Sequence, residues 1–292
     1  MSQIVLYAMT QKGHAVVAAL VQMYPGILHA VIGARDSKLR EDYYQQIVEL
    51  CHSVGIPFYD RSDAPNFEHH TALAVSWRWM IRGSNTRLIV FHDSLLPRYR
   101  GFNPLVSALI NGDHQIGVSA LFASEQYDRG PLIQQCAIDI CYPFTIQAAI
   151  DAILPCYAQL AIGIAEKVSQ DLDIPITQQD EATASYSLWR DDEDYRIDWR
   201  LDAQTIIRTI DALGSPYAGA RTLVGDVSAT LLRASICPDV RIENRTPGKV
   251  IDLSNGRPIV VCGSGLVLIE ELIHAETGEN LLPLRFFRTR FR

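Results

Sequence analysis

The sequence predicts an α/β protein: a Rossmann-like parallel sheet in a first domain over residues 1–195, followed by a small β-barrel over 196–292. Three observations carry that expectation. Short apolar runs alternate with helical spacings through the first half, the pattern of strands joined by crossover helices. From Asp171 to Asp194 the composition turns polar and reads as a linker. Beyond one amphipathic helix, only short strand-like runs remain, with an Asn255-Gly256 hairpin signal among them.

Residues 4–7 form an apolar run of strand length, 13–23 carry helical spacing, and 27–32 read as the second strand. A polar helix is expected over 39–52, then strands over 56–59, 72–77 and 88–92. Ligands of such sheets gather beyond the carboxyl ends of the strands, where His92 falls. Asn103 and Pro104 suit the N-cap and first position of a short helix that Gly112 ends. Strands at 116–123 and 132–140 precede a long helix over 146–170, in which Pro155 predicts a kink. In the second domain Asp202 can cap a helix with Ile206, Ile207, Ile210 and Leu213 on one face, stopped by Gly214. Strands follow at 218–223, 227–235, 249–253, 259–262 and 266–272, and the final RFFRTRFR reads as a terminal strand or tail with arginines lying over the barrel.

Composition removes several function classes. A net charge of -7 argues against a sequence-independent phosphate-backbone binder, so nucleic acid is not the expected partner. The six cysteines include no CxxC pair and read as reduced core residues. No basic leader precedes an apolar stretch, and nowhere do 18 apolar residues run together, so a cytoplasmic protein without membrane attachment is expected. After the first strand comes AMTQKG in place of GxGxxG, which disfavours a nicotinamide dehydrogenase. No His or Cys cluster has metal-ligand spacing, and no metal is expected.

Two titratable residues stand out by position: His92 at a strand end and Asp128 in the turn after another strand. A lone histidine at a strand end is more often structural than catalytic. Its surroundings, HDSLLPRYRGFNPLVSALINGDHQIGVSALFASEQYDRG, resemble the signature of the folate-dependent formyltransferases, with Asp128 falling 36 residues after His92 (128 − 92) as that pattern requires. The resemblance continues through YRIDWRLDAQTIIRTIDALGSPYAGA and PGKVIDLSNGRPIVVCGSGLVLIEEL, and is weak over the first 70 residues; it implies that 1–195 is the catalytic domain and that 196–292 forms an OB-like β-barrel.

That resemblance implies an Asn-x-His pair plus an Asp as the catalytic group, and N10-formyltetrahydrofolate as formyl donor. His92 and Asp128 take the last two places, but the Asn position is Val90. An Asn amide can donate to the oxyanion of the tetrahedral intermediate; valine donates nothing, and losing one such donor costs roughly 10²- to 10³-fold in rate. Three readings follow: a substitute donor from protonated His92, a backbone N–H, Ser76, Ser94 or Asn103; a slow enzyme; or a non-catalytic relative that binds folate or a sugar nucleotide. For the folate, the resemblance indicates Trp77, Arg78, Trp79, Gln126, Tyr127 and Asp128. Arg98, Arg100, Asn103 and Ser94 are candidates for substrate binding, with local loop contacts the alternative for the arginines and a helix cap for Asn103. His69-His70 and the run 191–194 read as solvated loops.

For the acceptor, the two-domain layout excludes glycinamide-ribotide formyltransferases by resemblance. Methionyl-tRNA formyltransferases share the layout but carry a basic insertion where this chain has the short, mixed-charge GARDSKLREDYYQQ. The likeness is stronger to nucleotide-sugar N-formyltransferases of surface polysaccharide synthesis, making an amino-sugar nucleotide the expected partner and a tRNA the alternative. A homodimer fits this layout.

Overall fold

The first strand, β1 (Ile4–Ala8), is buried on both faces, as its unbroken apolar run requires. It is the centre from which the first part of the chain winds. α1 (Thr10–Met23), β2 (Leu28–Gly33), α2 (Tyr44–Ser53), β3 (Phe58–Asp60), β4 (Thr71–Val75), β5 (Arg87–His92), the two-residue β6 (Arg100–Gly101), α3 (Pro104–Asn111), β7 (Gln115–Phe122), β8 (Leu132–Asp139), α4 (Ile146–Ser169) and β9 (Tyr186–Ser187) follow in order. The computed structural model describes residues 3–37, 39, 41–67, 70–81 and 87–292. The chain divides into two units: Met1–Leu105 with Gln115–Ile140 and Ala149–Leu188, and Val106–His114 with Cys141–Ala148 and Trp189–Arg292. The longest segment of the second unit begins at Trp189.

The main sheet of the first unit has seven strands in the order β3-β2-β1-β4-β5-β7-β8. From β3 to β5 the neighbours are parallel, whereas β7 is antiparallel to β5, and β8 to β7. The expected parallel sheet is present from β3 to β5, and β7 and β8 extend it with antiparallel pairing. The chain leaves β5 at its carboxyl end and enters β7 beside that same end, with Ser119 opposite His92, so β7 runs back along β5.

Local backbone explains the shifted helix starts. α2 begins at Tyr44 because Tyr43 sits at φ 58, and the Asp42 carboxylate accepts from the Tyr44 and Asp36 amides, both at 3.1 Å. α4 continues through Pro155 and buries Ile153, Leu160 and Ile164. It is also the helix, among the described residues, long and apolar enough by composition to cross a membrane.

The presumed linker 171–194 is corrected. Thr177 and Leu132 exchange backbone hydrogen bonds at 2.8 Å each, and β9 pairs in parallel with β6. Residues 177–187 thus form a strap on the first unit, held by backbone pairing that a polar composition does not reveal.

In the second unit, α5 (Ala203–Leu213) is capped by Asp202, whose carboxylate accepts from the Thr205 amide at 2.9 Å. β10 (Ala220–Val224), β11 (Val227–Cys237), β12 (Val250–Ser254), β13 (Arg257–Val261) and β14 (Leu266–His274) form a five-stranded antiparallel sheet, in the order β10-β11-β14-β13-β12. Asn255 and Gly256, at φ 53 and 76, make the tight turn between β12 and β13, as Asn-Gly predicts. Both edges of this sheet meet the last residues of the chain. Leu223 and Arg292 exchange backbone bonds at 2.7 and 2.9 Å, while Phe291 donates to Gly248 at 2.7 Å and Val250 to Thr289 at 3.2 Å. The terminal segment is an edge-joining strand, with Phe291 only 1% exposed and its ring 5.4 Å from that of Trp199.

Candidate active site

His92 is the last residue of β5, and pairing across the sheet decides its neighbours. Ala74 pairs with Val90 and Val75 with Phe91 on one side, and Ser119 with His92 on the other. Side chains alternate along a strand, so Val90 and His92 share one face while Phe91 and Asp93 turn to the opposite one.

The His92 ring is 7% exposed, and its Nε2 lies 2.8 Å from the Tyr99 carbonyl oxygen. A carbonyl only accepts, so Nε2 carries hydrogen and Nδ1 is left as the nitrogen that can take up a proton. Nδ1 stands 3.5 Å from Asp128 Oδ1, while Asp128 Oδ2 accepts from the Gly101 amide at 2.8 Å. The 36-residue spacing in the sequence thus closes onto one carboxylate–imidazole pair.

The loop after β5 is shaped to present the Tyr99 carbonyl. Ser94 Oγ donates to Arg98 O at 2.7 Å, Ser119 Oγ donates to Ser94 O at 2.6 Å, and the Tyr99 amide donates to Ser185 Oγ at 3.0 Å. Gly101 is required: its φ is +100, and a Cβ there would stand 2.6 Å from Ser187 O.

Asp128 is held from the strap. Gln179 Nε2 donates to the carbonyls of Asp128 and Gly130, at 2.8 Å each, and Gln179 Oε1 accepts from Arg100 Nε and Nη2 at 3.1 and 2.8 Å. Arg100 also grips Glu181 with both terminal nitrogens, at 2.9 and 2.8 Å, and is 0% exposed. The hydrogen bond from Arg100 holds the Glu181 carboxyl below its ordinary range. Arg100, a candidate for substrate binding, is instead closed off with its donors occupied. Ser94, at 4% exposure and donating to Arg98, is corrected in the same way. Gln179, Glu181 and Ser185 were not legible as site residues, because they lie in the polar stretch and act through contacts distant in sequence.

On the other face of β5, Asp93 makes a close ion pair with Lys12 and a close hydrogen bond with the Tyr157 hydroxyl. Burial pushes the Asp93 carboxyl up, but the Lys12 ammonium and the hydrogen bonds from Lys12 and Tyr157 outweigh it and leave it below its ordinary value. Neither Lys12 nor Tyr157 carried a signal in the sequence.

Among the folate candidates, Trp77 packs edge-on against Tyr7 at 5.1 Å and Trp79 at 5.2 Å. Arg78 pairs closely with Asp36, and the Arg61 guanidinium lies 4.5 Å from the Trp79 ring. Gln126 and Tyr127 are exposed, with Tyr127 6.5 Å from the Phe102 ring. Arg98 is exposed and donates to the Tyr99 hydroxyl at 3.0 Å, and Asn103 sits at φ 48 just before α3. His69 lies outside the described residues; His70 stacks on His29 at 4.7 Å. The run 191–194 forms an exposed turn in which the Asp191 amide donates to Asp194 at 2.9 Å.

Comparison with known proteins follows this division. A family model described as "Formyl transferase" matches residues 79–154, and one described as "Formyl transferase, C-terminal domain" matches 190–289. The methionyl-tRNA formyltransferase of Ehrlichia chaffeensis is 33% identical over 202 residues, covering 68% of this chain and 61% of that protein. That of Thiobacillus denitrificans is 30% identical over 181 residues, covering 62% and 57%. The chain thus matches less than two thirds of the length of these curated relatives. A solved sugar 3N-formyl transferase, in the presence of dTDP and 5-N-formyl-THF, superposes with a TM-score of 0.71 at 14% identity, covering 92% of this chain and 97% of that one. The Clostridium thermocellum methionyl-tRNA formyltransferase superposes at 0.57 and 18% identity, covering 92% and 100%. At such identities the structures speak for the fold, and the two family models, which together match more than half of the chain, speak for descent: the chain belongs to the formyl transferase family.

Proposed function

We propose that the protein transfers the formyl group of N10-formyltetrahydrofolate to the amine of a nucleotide-linked amino sugar. The observation that carries this reading is the His92 ring, with Nε2 anchored on Tyr99 O and Nδ1 turned to Asp128 at 3.5 Å. When the amine attacks the formyl carbon, a C–N bond forms and the carbonyl electron pair moves onto oxygen. His92 Nδ1 then removes the amine proton. The imidazolium finds an acceptor for each N–H, the Tyr99 carbonyl and the Asp128 carboxylate. As the oxyanion collapses, the C–N10 bond breaks and the proton passes to N10, releasing tetrahydrofolate and formamide product. Trp77, Trp79 and the turn from Gln126 to Asp128 are assigned to the folate by the family resemblance, with Asp128 itself part of this pair.

For the acceptor, support comes from the net charge of -7 and from solved neighbours described with dTDP or dTDP-3-aminofucose. A methionyl-tRNA acceptor is the second reading, favoured by the curated relatives. The test is absorbance-followed release of tetrahydrofolate on mixing with the donor and a panel of amino-sugar nucleotides. Release dependent on one of them supports the proposal, and release with none of them opposes it.

A further inference from the structure

We infer that the Ser76 hydroxyl, set in place by Thr10, donates to the formyl oxygen the hydrogen bond that Val90 has no group to give; this rests on the formyl-transfer reading above. A donor for that oxygen must stand beside His92, and β4 is the parallel neighbour of β5. Since Ala74 pairs with Val90 and Val75 with Phe91, the next residue, Ser76, comes level with His92. Ser76 is the first residue past β4, and its left-handed backbone turns its side chain out of the strand's alternation, with Oγ placed by its contact with Thr10. Ser76 is half-buried, as a group reaching a substrate needs to be.

Its hydrogen bonds give the hydroxyl a direction. Thr10 Oγ1 accepts from the Lys12 amide at 3.4 Å and donates to Ser76 Oγ at 3.3 Å. Either hydroxyl can donate in this contact; with Thr10 as the donor, Ser76 has its own hydrogen to give to a substrate. Donation along the chain from Lys12 through Thr10 strengthens the terminal donor.

Backbone conformation marks the same two residues. Thr10 lies at φ 62 and Ser76 at φ 53, both in the left-handed region, which a β-branched threonine rarely enters. Such conformations are costly and concentrate at functional sites. Thr10 follows β1 and Ser76 follows β4, adjacent strands from which the connections wind in opposite directions, where ligands of open α/β sheets bind.

The other side chains considered for this role are less well placed. Ser94 donates to Arg98 O at 2.7 Å and is buried. Asn103 follows β6, and no strand pairing sets it beside His92. In the reaction Ser76 transfers no proton: its O–H stabilises the oxyanion while the carbonyl pair resides on oxygen, and the bond weakens when that pair returns.

The experiment compares wild type, Ser76→Ala and Ser76→Gly, the glycine accommodating the positive φ so that loss of the hydroxyl is separated from backbone strain. Both variants should lower turnover about 10²- to 10³-fold, as expected for one oxyanion donor, with the KM for the donor changed less than about threefold. Adding Val90→Asn to Ser76→Ala should recover at least about tenfold. A second readout needs no turnover: the infrared carbonyl band of 10-formyl-5,8-dideazafolate, ¹³C-labelled in the formyl group and bound without acceptor, should move to higher wavenumber in both variants. Wild-type turnover in both variants, or an unmoved carbonyl band, overturns the inference. If the formyl-transfer reading is what fails, wild type transfers to no amine while the band still decides the Ser76 contact. A wild type that binds no formyl folate overturns both.

Discussion

His92 enters the proposed reaction through one nitrogen, because the Tyr99 carbonyl, 2.8 Å away, occupies the other. His92→Asn keeps a polar group at the strand end but cannot take up the amine proton. Its turnover should fall at least about 10²-fold, with folate affinity by equilibrium dialysis nearly unchanged. Turnover equal to wild type would remove His92 from the role of base. The Asp128 carboxylate has its own dependence, on Gln179, which supports the turn through two bonds of 2.8 Å. Gln179→Ala leaves those carbonyls and the buried Arg100 short of a partner. A loss of about 1 to 3 kcal/mol in denaturant unfolding is expected, together with a lower turnover as the turn loosens. Unchanged stability and rate would show that the strap does not position Asp128. The pair His92 and Asp128 was visible in the sequence because both belong to a local motif of fixed spacing. Gln179 was not, since a glutamine in a polar stretch has no pattern tying it to a turn 51 residues away.

Among elements, α5 has an unusual group on its half-buried side. Burial pushes the Asp211 carboxyl up to about 6, whereas an unfolded chain titrates it near roughly 3.9. The folded state therefore holds this proton more tightly. The stability it contributes is full below roughly pH 3.9 and is lost as pH rises through about 6. Asp211→Asn should thus raise the melting temperature at pH 8, and the gain should shrink toward zero at pH 4. A gain independent of pH would place its cause elsewhere. The strands and helices were largely legible, because apolar runs and the Asp202 cap are local signals. What was not legible depended on distant partners: the strap pairs with β6 and Leu132, and the terminal strand, expected as such, takes β10 and β12 as its neighbours. The left-handed Tyr43, which delays α2, follows from no residue preference.

At the scale of the whole molecule, fold and acceptor are separate questions. The mixed sheet and the antiparallel second unit recur in sugar and methionyl-tRNA formyltransferases alike, so architecture alone does not choose the acceptor. Charge bears on it directly, since a chain of net charge -7 is poorly suited to a polyanion but compatible with the two phosphates of a nucleotide sugar. The most direct measurement supplies N10-formyltetrahydrofolate labelled in the formyl carbon, offers amino-sugar nucleotides and charged initiator methionyl-tRNA in one mixture, and locates the label by mass spectrometry. Label is expected on the sugar amine, and lost in His92→Asn. Label on the methionyl group alone would contradict the sugar acceptor, and label on neither, with folate bound, would contradict catalysis itself.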